Sequence, residues 1–272
     1  MIEAHAGSTP LVLSMPHVGR DFPPDLAARL TPRALAVPDT DWHVERLYAF
    51  ARERGAAWLE PRMSRYVVDL NRPPDDAALY AGQVSTGLCP RETFDGEPLY
   101  LGAGPSATEI AARRAEYWQP YHAALAALLD AARARHGYAV LLDAHSIRSE
   151  VPRLFPGRLP DINLGTNDGR SCDPALARAV VAVVGAQSAF SHVLDGRFKG
   201  GYITRHYGNP AGGVHALQIE LAQRAYMDEP AAAYDAARAA PLARLLAEVV
   251  AALLAFRPAG AGGGAGPAGE GR

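Results

Sequence analysis

Cysteine is scarce in this chain, which has only Cys89 and Cys172 among 272 residues. Two cysteines cannot build the disulfide framework of a small secreted domain, so we expect a reduced, cytoplasmic setting. A signal peptide is not expected either, because the first residues lack a basic region followed by an apolar run. The longest apolar run, near residues 245–256, is too short and too rich in alanine to span a bilayer.

An excess of positive charge is also missing. The chain has 27 lysines and arginines against 29 aspartates and glutamates, a net charge of −2 and a pI of about 6.5. This balance argues against nucleic acid or an anionic membrane as the partner. Hydrophobic residues make up 49% of the chain, enough for a substantial core. We predict a single domain over residues 1–257 and a disordered tail, rich in glycine, alanine and proline, over residues 258–272.

Several common catalytic motifs do not occur in the sequence. It has no H-E-x-x-H, no paired C-x-x-C, no G-x-S-x-G and no Walker phosphate-binding pattern. The function must therefore be sought in residues that are distant in sequence and are brought together by the fold.

Two short apolar runs are each followed closely by a histidine. Val140–Leu142 reads as a buried strand, and His145 follows it; Leu11–Leu13 reads as another, and His17 follows. Ligands collect at the carboxyl ends of strands in open α/β sheets, and histidine is the commonest metal ligand. Each histidine alone could merely cap a strand, but the pair indicates a metal site.

Strand and helix patterns alternate along the chain, which predicts an α/β sandwich with a mostly parallel or mixed central sheet. Residues 71–105 are dense in proline, glycine and polar residues, and we interpret them as a long loop that forms a lid or wall over a site. The predicted strands are 11–16, 57–60, 65–69, 140–142, 161–165, 193–196, 200–204 and 216–221. The predicted long helices are 106–136, with a kink at Pro120, 173–184 and 230–256.

Carboxylates are present to complete a metal site. A catalytic zinc usually has three protein ligands and one open position for water. Two histidines and one carboxylate from Asp39 or Asp41 fill that set. Glu220, near the end of the predicted strand 216–221, is a further carboxylate that can take a proton from water.

Five segments together resemble one known family, the N-formylglutamate amidohydrolases. The resemblance extends from about residue 8 to residue 230. It implies a fold like that of the zinc carboxypeptidases and aspartoacylases, and hydrolysis of N-formyl-L-glutamate to formate and L-glutamate, the last step of one route of histidine degradation. The segments are Ser14-Met-Pro-His-Val-Gly-Arg20, Asp39-Thr-Asp-Trp42, Ser64-Arg-Tyr-Val-Val-Asp-Leu-Asn-Arg72, Asp143-Ala-His-Ser146 and Leu217-Gln-Ile-Glu-Leu221.

The resemblance implies that His17 and His145 bind one Zn²⁺, or another divalent metal. The wider superfamily usually has His-x-x-Glu at the first ligand, but here Arg20 stands where the glutamate is expected. The third ligand must therefore come from elsewhere. We choose Asp41, at the start of a predicted helix, and Asp39 and Glu45 remain alternatives.

The resemblance also implies roles in catalysis and substrate binding. Glu220 matches the general base of these relatives, although it could instead be a structural glutamate paired with Arg224. Asn71 and Arg72 match the pair that grips the substrate α-carboxylate. N-formylglutamate has two carboxylates, so further cationic groups are expected, and each candidate could equally be a structural ion-pair partner. These candidates are Arg65, Arg148 and Arg205.

Two other functions remain open at this point. The chain could be a deacylase for a different N-acyl amino acid, or a non-catalytic relative that binds a metabolite. The intact His17, His145 and Glu220 argue against the second alternative. In each case the expected partner is a small molecule, and the oligomeric state is left open.

Overall fold

The computed structural model describes residues 2–77 and 86–259. Within these ranges the strands form a central sheet of seven and a separate pair. The sheet strands are β1 (Ile2–His5), β2 (Leu11–Ser14), β3 (Ala57–Pro61), β4 (Ala139–Ile147), β5 (Ile162–Gly165), β6 (His192–Leu194) and β7 (Val214–Ala222), and the separate pair is β8 (Met227–Asp228) and β9 (Ala233–Tyr234).

The sheet has the order β1-β3-β2-β4-β7-β5-β6 and is mixed, as predicted. Its centre, β3-β2-β4-β7, is parallel, whereas β1 pairs with β3 and β5 pairs with β7 in antiparallel fashion. The long strands β4 and β7 lie side by side, with His145 opposite Glu220. Register partners in adjacent strands point to the same face, so the pairing places these two side chains together.

Helices cover both faces of this sheet. The long helices are α5 (Ala107–Arg113), α6 (Gln119–His136), α7 (Pro174–Gly185) and α9 (Ala236–Ala255), and the short helices are α1 (Pro24–Ala27), α2 (Pro32–Leu35), α3 (Val44–Leu47), α4 (Phe50–Glu53) and α8 (Tyr202–Tyr207). A π-helical turn, Arg114–Trp118, joins α5 to α6.

The alternation of side chains along β2 shows why both faces are buried. Leu11 and Leu13 belong to one hydrophobic cluster, with residues of α7 and α9, and Val12 belongs to another, with residues of α6. All three side chains are completely buried. Continuous apolar strands of this kind require cover on both sides, so the architecture is a three-layer α/β sandwich.

Two of the predicted strands are wrong. Residues 65–69 form turns, because Ser64 accepts the amide hydrogen bonds of the residues that follow it, through its hydroxyl and its carbonyl. Residues 200–204 lead into the short helix α8, where the Asn71 side-chain oxygen accepts a hydrogen bond from the Ile203 amide. A local polar cap decides the first place and a contact with a distant segment decides the second, and neither can be read from strand propensities.

The helix predictions need smaller corrections. Ser106 caps α5 and Gly137, with a φ of 79°, ends α6 as predicted, but the break between them is the π turn rather than a kink at Pro120. The last helix begins at Ala236 rather than Pro230, because Asp235 caps it.

The predicted loop over residues 71–105 has no helix or strand in its described parts, although isolated bridges occur. Residues 78–85 of this loop lie outside the described residues, and so do residues 260–272 of the predicted tail. Among the helices that the structure describes, none combines the length and apolar character needed to cross a membrane.

Candidate metal and active site

Three buried side chains meet at the carboxyl end of the central strands. His17 follows β2, His145 lies near the end of β4, and Asp41 is tied to the first of them by a hydrogen bond from its amide to the His17 carbonyl, at 3.1 Å. The Asp41 Oδ2 atom is 2.9 Å from His145 Nδ1 and 3.7 Å from His17 Nδ1. One ligand atom from each residue lies within 4.8 Å of the others, so this group could hold a metal ion.

The second ring nitrogen of each histidine faces another carboxylate. His17 Nε2 is 2.7 Å from Asp69 Oδ1, and His145 Nε2 is 3.1 Å from Asp143 Oδ1. A carboxylate at Nε2 favours the proton on that nitrogen, so Nδ1 is the atom left facing the cluster. In this structure His145 Nδ1 donates to Asp41 Oδ2 at 2.9 Å, and it would offer a lone pair to a metal once that proton is lost. Histidines that bind metals are usually oriented in this way.

Burial and neighbouring charges act in opposite directions on the pKa values of Asp41 and His145. Burial favours the neutral form of a carboxyl group, yet the imidazoles of His17 and His145 hold the pKa of Asp41 well below its usual range. Burial likewise favours neutral imidazole, but Asp143 and Asp41 raise the pKa of His145 well above its ordinary value. Asp41 is therefore ionised, the form in which a carboxyl group binds a metal, and a divalent cation bound here would compete with the additional proton on the His145 imidazole.

The alternatives for the third ligand lie elsewhere. Asp39 Oδ2 accepts hydrogen bonds from the Tyr66 hydroxyl at 2.6 Å and from the Phe94 amide at 2.8 Å. Glu45 pairs with Arg20 at 3.1 Å, in a partly exposed position. Among the three candidates, the structure brings only Asp41 together with both histidines, which supports it as the ligand.

We expect Asp41→Asn to weaken Zn²⁺ binding far more than Asp39→Asn. Mutation of a residue that only hydrogen-bonds to a metal ligand typically lowers metal affinity by roughly 10–100-fold. Replacing a carboxylate that itself binds the metal should lower the affinity by more than about 100-fold. Asp39→Asn should cost less than about 10-fold, since that residue holds the loop at Phe94 rather than the cluster. Competition with a chromophoric chelator measures both affinities. The reverse order would move the ligand to Asp39.

Glu220 lies beside this cluster on β7 and is 7% exposed. Burial raises the pKa of its carboxyl group to about 8; the nearby His145 lowers this pKa and Asp41 raises it. Its Oε2 atom accepts a hydrogen bond from Gln218 Nε2 at 3.3 Å. Arg224, the structural partner considered from the sequence, pairs instead with Asp161 at 2.7 Å. Glu220 is thus a buried carboxyl group beside the cluster whose pKa lies near neutral pH, where a group can both take up and return a proton.

A cavity of about 100 Å³ opens in front of the cluster and Glu220. Part of its wall is polar and part is apolar. Its apolar lining includes Phe94, Ile147, Leu154 and Phe198, and its polar lining includes the cluster residues, Glu220, Gln218, Asn71 and Asp69.

Arg65 and Arg72 line the cavity, as predicted for substrate-binding residues. Arg65 donates to Asp69 Oδ2 at 2.7 Å and lies over the Phe94 ring, 4.8 Å from its centroid. Arg72 donates through Nε to the Thr86 carbonyl at 2.9 Å. The main contact of Arg65 is therefore a buried ion pair at 2.7 Å within the protein. Arg72 is held at the cavity wall chiefly by the Thr86 carbonyl, and its Nε also lies 3.9 Å from Asp69 Oδ2.

Arg148 and Arg205 take other positions. Arg148 pairs with Asp95 at 2.9 Å and lines a neighbouring cavity. Arg205 donates through Nε to the Gly200 carbonyl at 2.8 Å and is not among the described residues that line the cavity at the cluster. The prediction that these two residues bind substrate is therefore not supported by the geometry. Arg197, which does line the cavity, was missed by sequence reasoning.

Asn71 contacts both the cluster and the helix layer. Its Nδ2 is 3.0 Å from His145 Nε2, and its Oδ1 accepts from the Ile203 amide at 2.8 Å. The carbonyls on either side of it accept hydrogen bonds from the His122 ring at 2.9 Å and from the Trp118 indole at 3.0 Å. Helix α6 and the π turn before it thus hold the loop that carries Asn71.

The roles of Asp69 and Asp143 were also missed, although both lie within segments quoted for the family resemblance. Asp69 was expected in a strand, and Asp143 only as the residue at which a strand stops. Burial would raise the pKa of Asp69, but His17 and Arg65 hold it well below its usual range. An aspartate close in sequence to a metal-binding histidine or a predicted arginine is the signal that could have found them.

Comparison with known proteins places these features in one family. Residues 9–227 match the family model described as N-formylglutamate amidohydrolase. The chain is 55% identical over 252 residues to the N-formylglutamate deformylase of Pseudomonas aeruginosa, covering 92% of this chain and 94% of that protein. It is 48% identical over 258 residues to the N-formylglutamate deformylase of Pseudomonas putida, covering 94% and 96%.

Solved structures show the same fold. A crystal structure of N-formylglutamate amidohydrolase from Ralstonia eutropha aligns with a TM-score of 0.79 at 24% identity, covering 93% of this chain and 95% of that one. A gene product of Agrobacterium tumefaciens aligns with a TM-score of 0.69 at 19% identity, with the same coverage of 93% and 95%.

Proposed function

The chain belongs to the N-formylglutamate amidohydrolase family, and on this premise we propose that it hydrolyses N-formyl-L-glutamate to formate and L-glutamate with the help of one Zn²⁺. The names of its relatives at 48% and 55% identity support the reaction. The observation that carries the proposal is the buried cluster of His17, Asp41 and His145 beside Glu220.

The donor set fits a catalytic zinc. Two imidazole nitrogens and one carboxylate are a common ligand set for this metal, and both Nδ1 atoms face Asp41. A Zn²⁺ bound there would act as a Lewis acid toward the formyl oxygen and would lower the pKa of water toward about 7. The proposed relationship to the zinc carboxypeptidases, with the place in histidine degradation and the cytoplasmic setting, remains a prediction from the sequence.

Glu220 carries the proton transfers in this proposal. Its carboxylate accepts a proton from the attacking water as the water oxygen bonds to the formyl carbon. It then gives that proton to the amide nitrogen as the C–N bond breaks, which releases formate and the amino group of L-glutamate. Burial raises the proton affinity of this carboxyl group, which favours the uptake step and keeps the proton on Glu220 until the amide nitrogen accepts it.

Formate release tests the reaction and separates it from the alternatives. Purified protein should contain about one zinc per chain and should release formate from N-formyl-L-glutamate. Rates on N-acetyl- and N-succinyl-L-glutamate, measured in parallel, report the acyl preference. A faster rate on either would favour a different deacylase. Metal-loaded protein that turns over none of the three would favour a binding protein.

Arg72→Met should raise KM for N-formyl-L-glutamate by about 10–150-fold, the equivalent of one charge-assisted hydrogen-bond contact. Methionine keeps much of the side-chain volume but removes the guanidinium that would meet the α-carboxylate. The loss should shrink on the analogue whose α-carboxylate is a neutral amide.

The matched control for this variant is Arg62→Met, which removes a largely exposed arginine paired with Asp21. It should leave KM unchanged for N-formyl-L-glutamate and for the amide analogue. If Arg72→Met raised KM equally for N-formyl-L-glutamate and for its α-amide analogue, Arg72 would support the loop rather than bind the substrate.

A further inference from the structure

N-formylglutamate carries two carboxylates, and the cavity offers an arginine that has no assigned role. Among the described residues, the arginines that line the cavity are Arg65, Arg72 and Arg197. Arg65 already forms a buried ion pair with Asp69 at 2.7 Å and is 3.8 Å from Asp41. Its charge balances acids of the protein, and burial of those acids makes it costly to divert.

Arg197 has other neighbours in the cavity wall than Arg72. It follows β6, its Nε donates to the Leu154 carbonyl at 3.0 Å, and its guanidinium lies 5.3 Å from the Phe198 ring centroid. Leu154 and Phe198 both pack against an apolar cluster that contains Phe94 and Ile147. The Arg197 guanidinium therefore lies next to apolar side chains of the cavity wall, Leu154 and Phe198.

Arg72 instead lies beside the cluster, because its Nε is 3.9 Å from Asp69 Oδ2 and Asp69 Oδ1 is 2.7 Å from His17 Nε2. It follows Asn71 in sequence, and Asn71 contacts His145 at 3.0 Å. A substrate whose formyl group lies at the cluster presents its α-carboxylate, one carbon from the amide nitrogen, near that end. Its γ-carboxylate is separated from the α-carbon by two methylene groups. The wall around Arg197 matches this side chain, because the methylene groups would contact its apolar residues and the γ-carboxylate would contact the Arg197 guanidinium.

We infer that Arg197 binds the side-chain carboxylate of the substrate and makes the enzyme selective for acidic N-formyl amino acids. This inference rests on the proposed function, because it assumes that the N-formyl amino acid occupies this cavity. It assigns the two carboxylates to two arginines, the α-carboxylate to Arg72 and the γ-carboxylate to Arg197.

A comparison of N-formyl-L-glutamate with N-formyl-L-glutamine tests this assignment, because the two substrates differ only in the γ group. Arg197→Met should lower kcat/KM for the glutamate substrate by about 10–150-fold, mainly through KM, and should change the glutamine substrate less than about threefold. Arg72→Met should instead lower kcat/KM for both substrates by similar factors, because both keep the α-carboxylate.

Arg170→Met is the matched control, since Arg170 is largely exposed and pairs with Asp168. It should leave kcat/KM unchanged for both substrates. Thermal melting and zinc content should show that Arg197→Met folds and keeps its metal. Equal losses by Arg197→Met on the two substrates would overturn the inference and leave Arg197 a structural residue.

Binding measurements separate the two proposals. If the wild-type protein releases no formate, the proposed function is wrong, but calorimetry with L-glutamate and L-glutamine still decides the role of Arg197. The wild type should prefer glutamate by about 10-fold or more, and Arg197→Met should remove that preference. A wild type that binds neither amino acid, or a variant that keeps the preference, overturns the inference.

Discussion

His145→Ala should yield protein that no longer retains zinc through dialysis and that releases no measurable formate. The substitution removes one of the three proposed zinc ligands, so the affinity for zinc should fall by more than the roughly 10–100-fold typical of residues that only hydrogen-bond to a ligand. His17→Ala should behave in the same way, because its Nδ1 faces the same carboxylate oxygen, Asp41 Oδ2. Metal analysis and formate release on the same samples measure both effects.

Stability must be followed in these variants. Without His145, Asp41 and Asp143 each lose a hydrogen-bonded imidazole while both carboxylates stay buried. Removing one partner of a buried charged pair typically costs about 3–5 kcal/mol. Thermal melting should therefore show a lower Tm. His192→Ala, at an exposed position of β6, is the control for loss of an imidazole. If either cluster variant keeps a full equivalent of zinc, the proposed ligand set is wrong.

The sequence predicted the centre of the fold well. The apolar runs before His145 and around Glu220 are β4 and β7, and their parallel pairing brings both residues to one edge of the sheet. Buried parallel strands have a strong hydrophobic pattern, and this pattern depends little on distant contacts. The short edge strand β1 lacks that pattern and was missed, because its residues are mostly exposed.

Segments that serve the site were harder to predict. The predicted strand at residues 65–69 forms turns instead, and its polar side chains have local and distant partners. Arg65 and Asp69 bind each other within the segment, and Asp69 also binds the distant His17. Strand propensity in Tyr66, Val67 and Val68 was overridden by these contacts. Functional sites are where local preference and final structure most often disagree.

Assigning arginines from sequence met the same limit. Arg148 and Arg205 were chosen because they stand in motifs near strand ends or turns, and Arg197 has a similar position directly after the predicted strand 193–196. The direction of a long side chain depends on which acids and carbonyls surround it, such as Asp95 for Arg148. A pattern of residue types does not contain that information, so only the structure could separate Arg197 from the others.

Glu220→Gln should separate chemistry from binding. Glutamine has nearly the same size and shape but cannot accept the water proton, so kcat should fall by about 10²–10⁴-fold. KM should change little, because the arginines of the cavity are untouched. Zinc should remain bound, since the three proposed ligands are intact. The fold should tolerate the change, because a neutral amide is less costly to bury than a carboxylate at a position that is only 7% exposed.

Glu60→Gln is the matched control for this variant. Glu60 lies on β3, is partly buried and accepts a hydrogen bond from the Trp58 indole at 3.0 Å. Its replacement removes a carboxylate from the same sheet but from outside the described lining of the cavity, so kcat should stay within about twofold of the wild type. Single-turnover measurements of formate release, with zinc content determined on the same protein, compare the two variants. A Glu220→Gln protein that keeps wild-type kcat would show that another group moves the proton. One that loses zinc together with activity would place Glu220 among the metal ligands, and the proposed division between ligand and base would then be wrong.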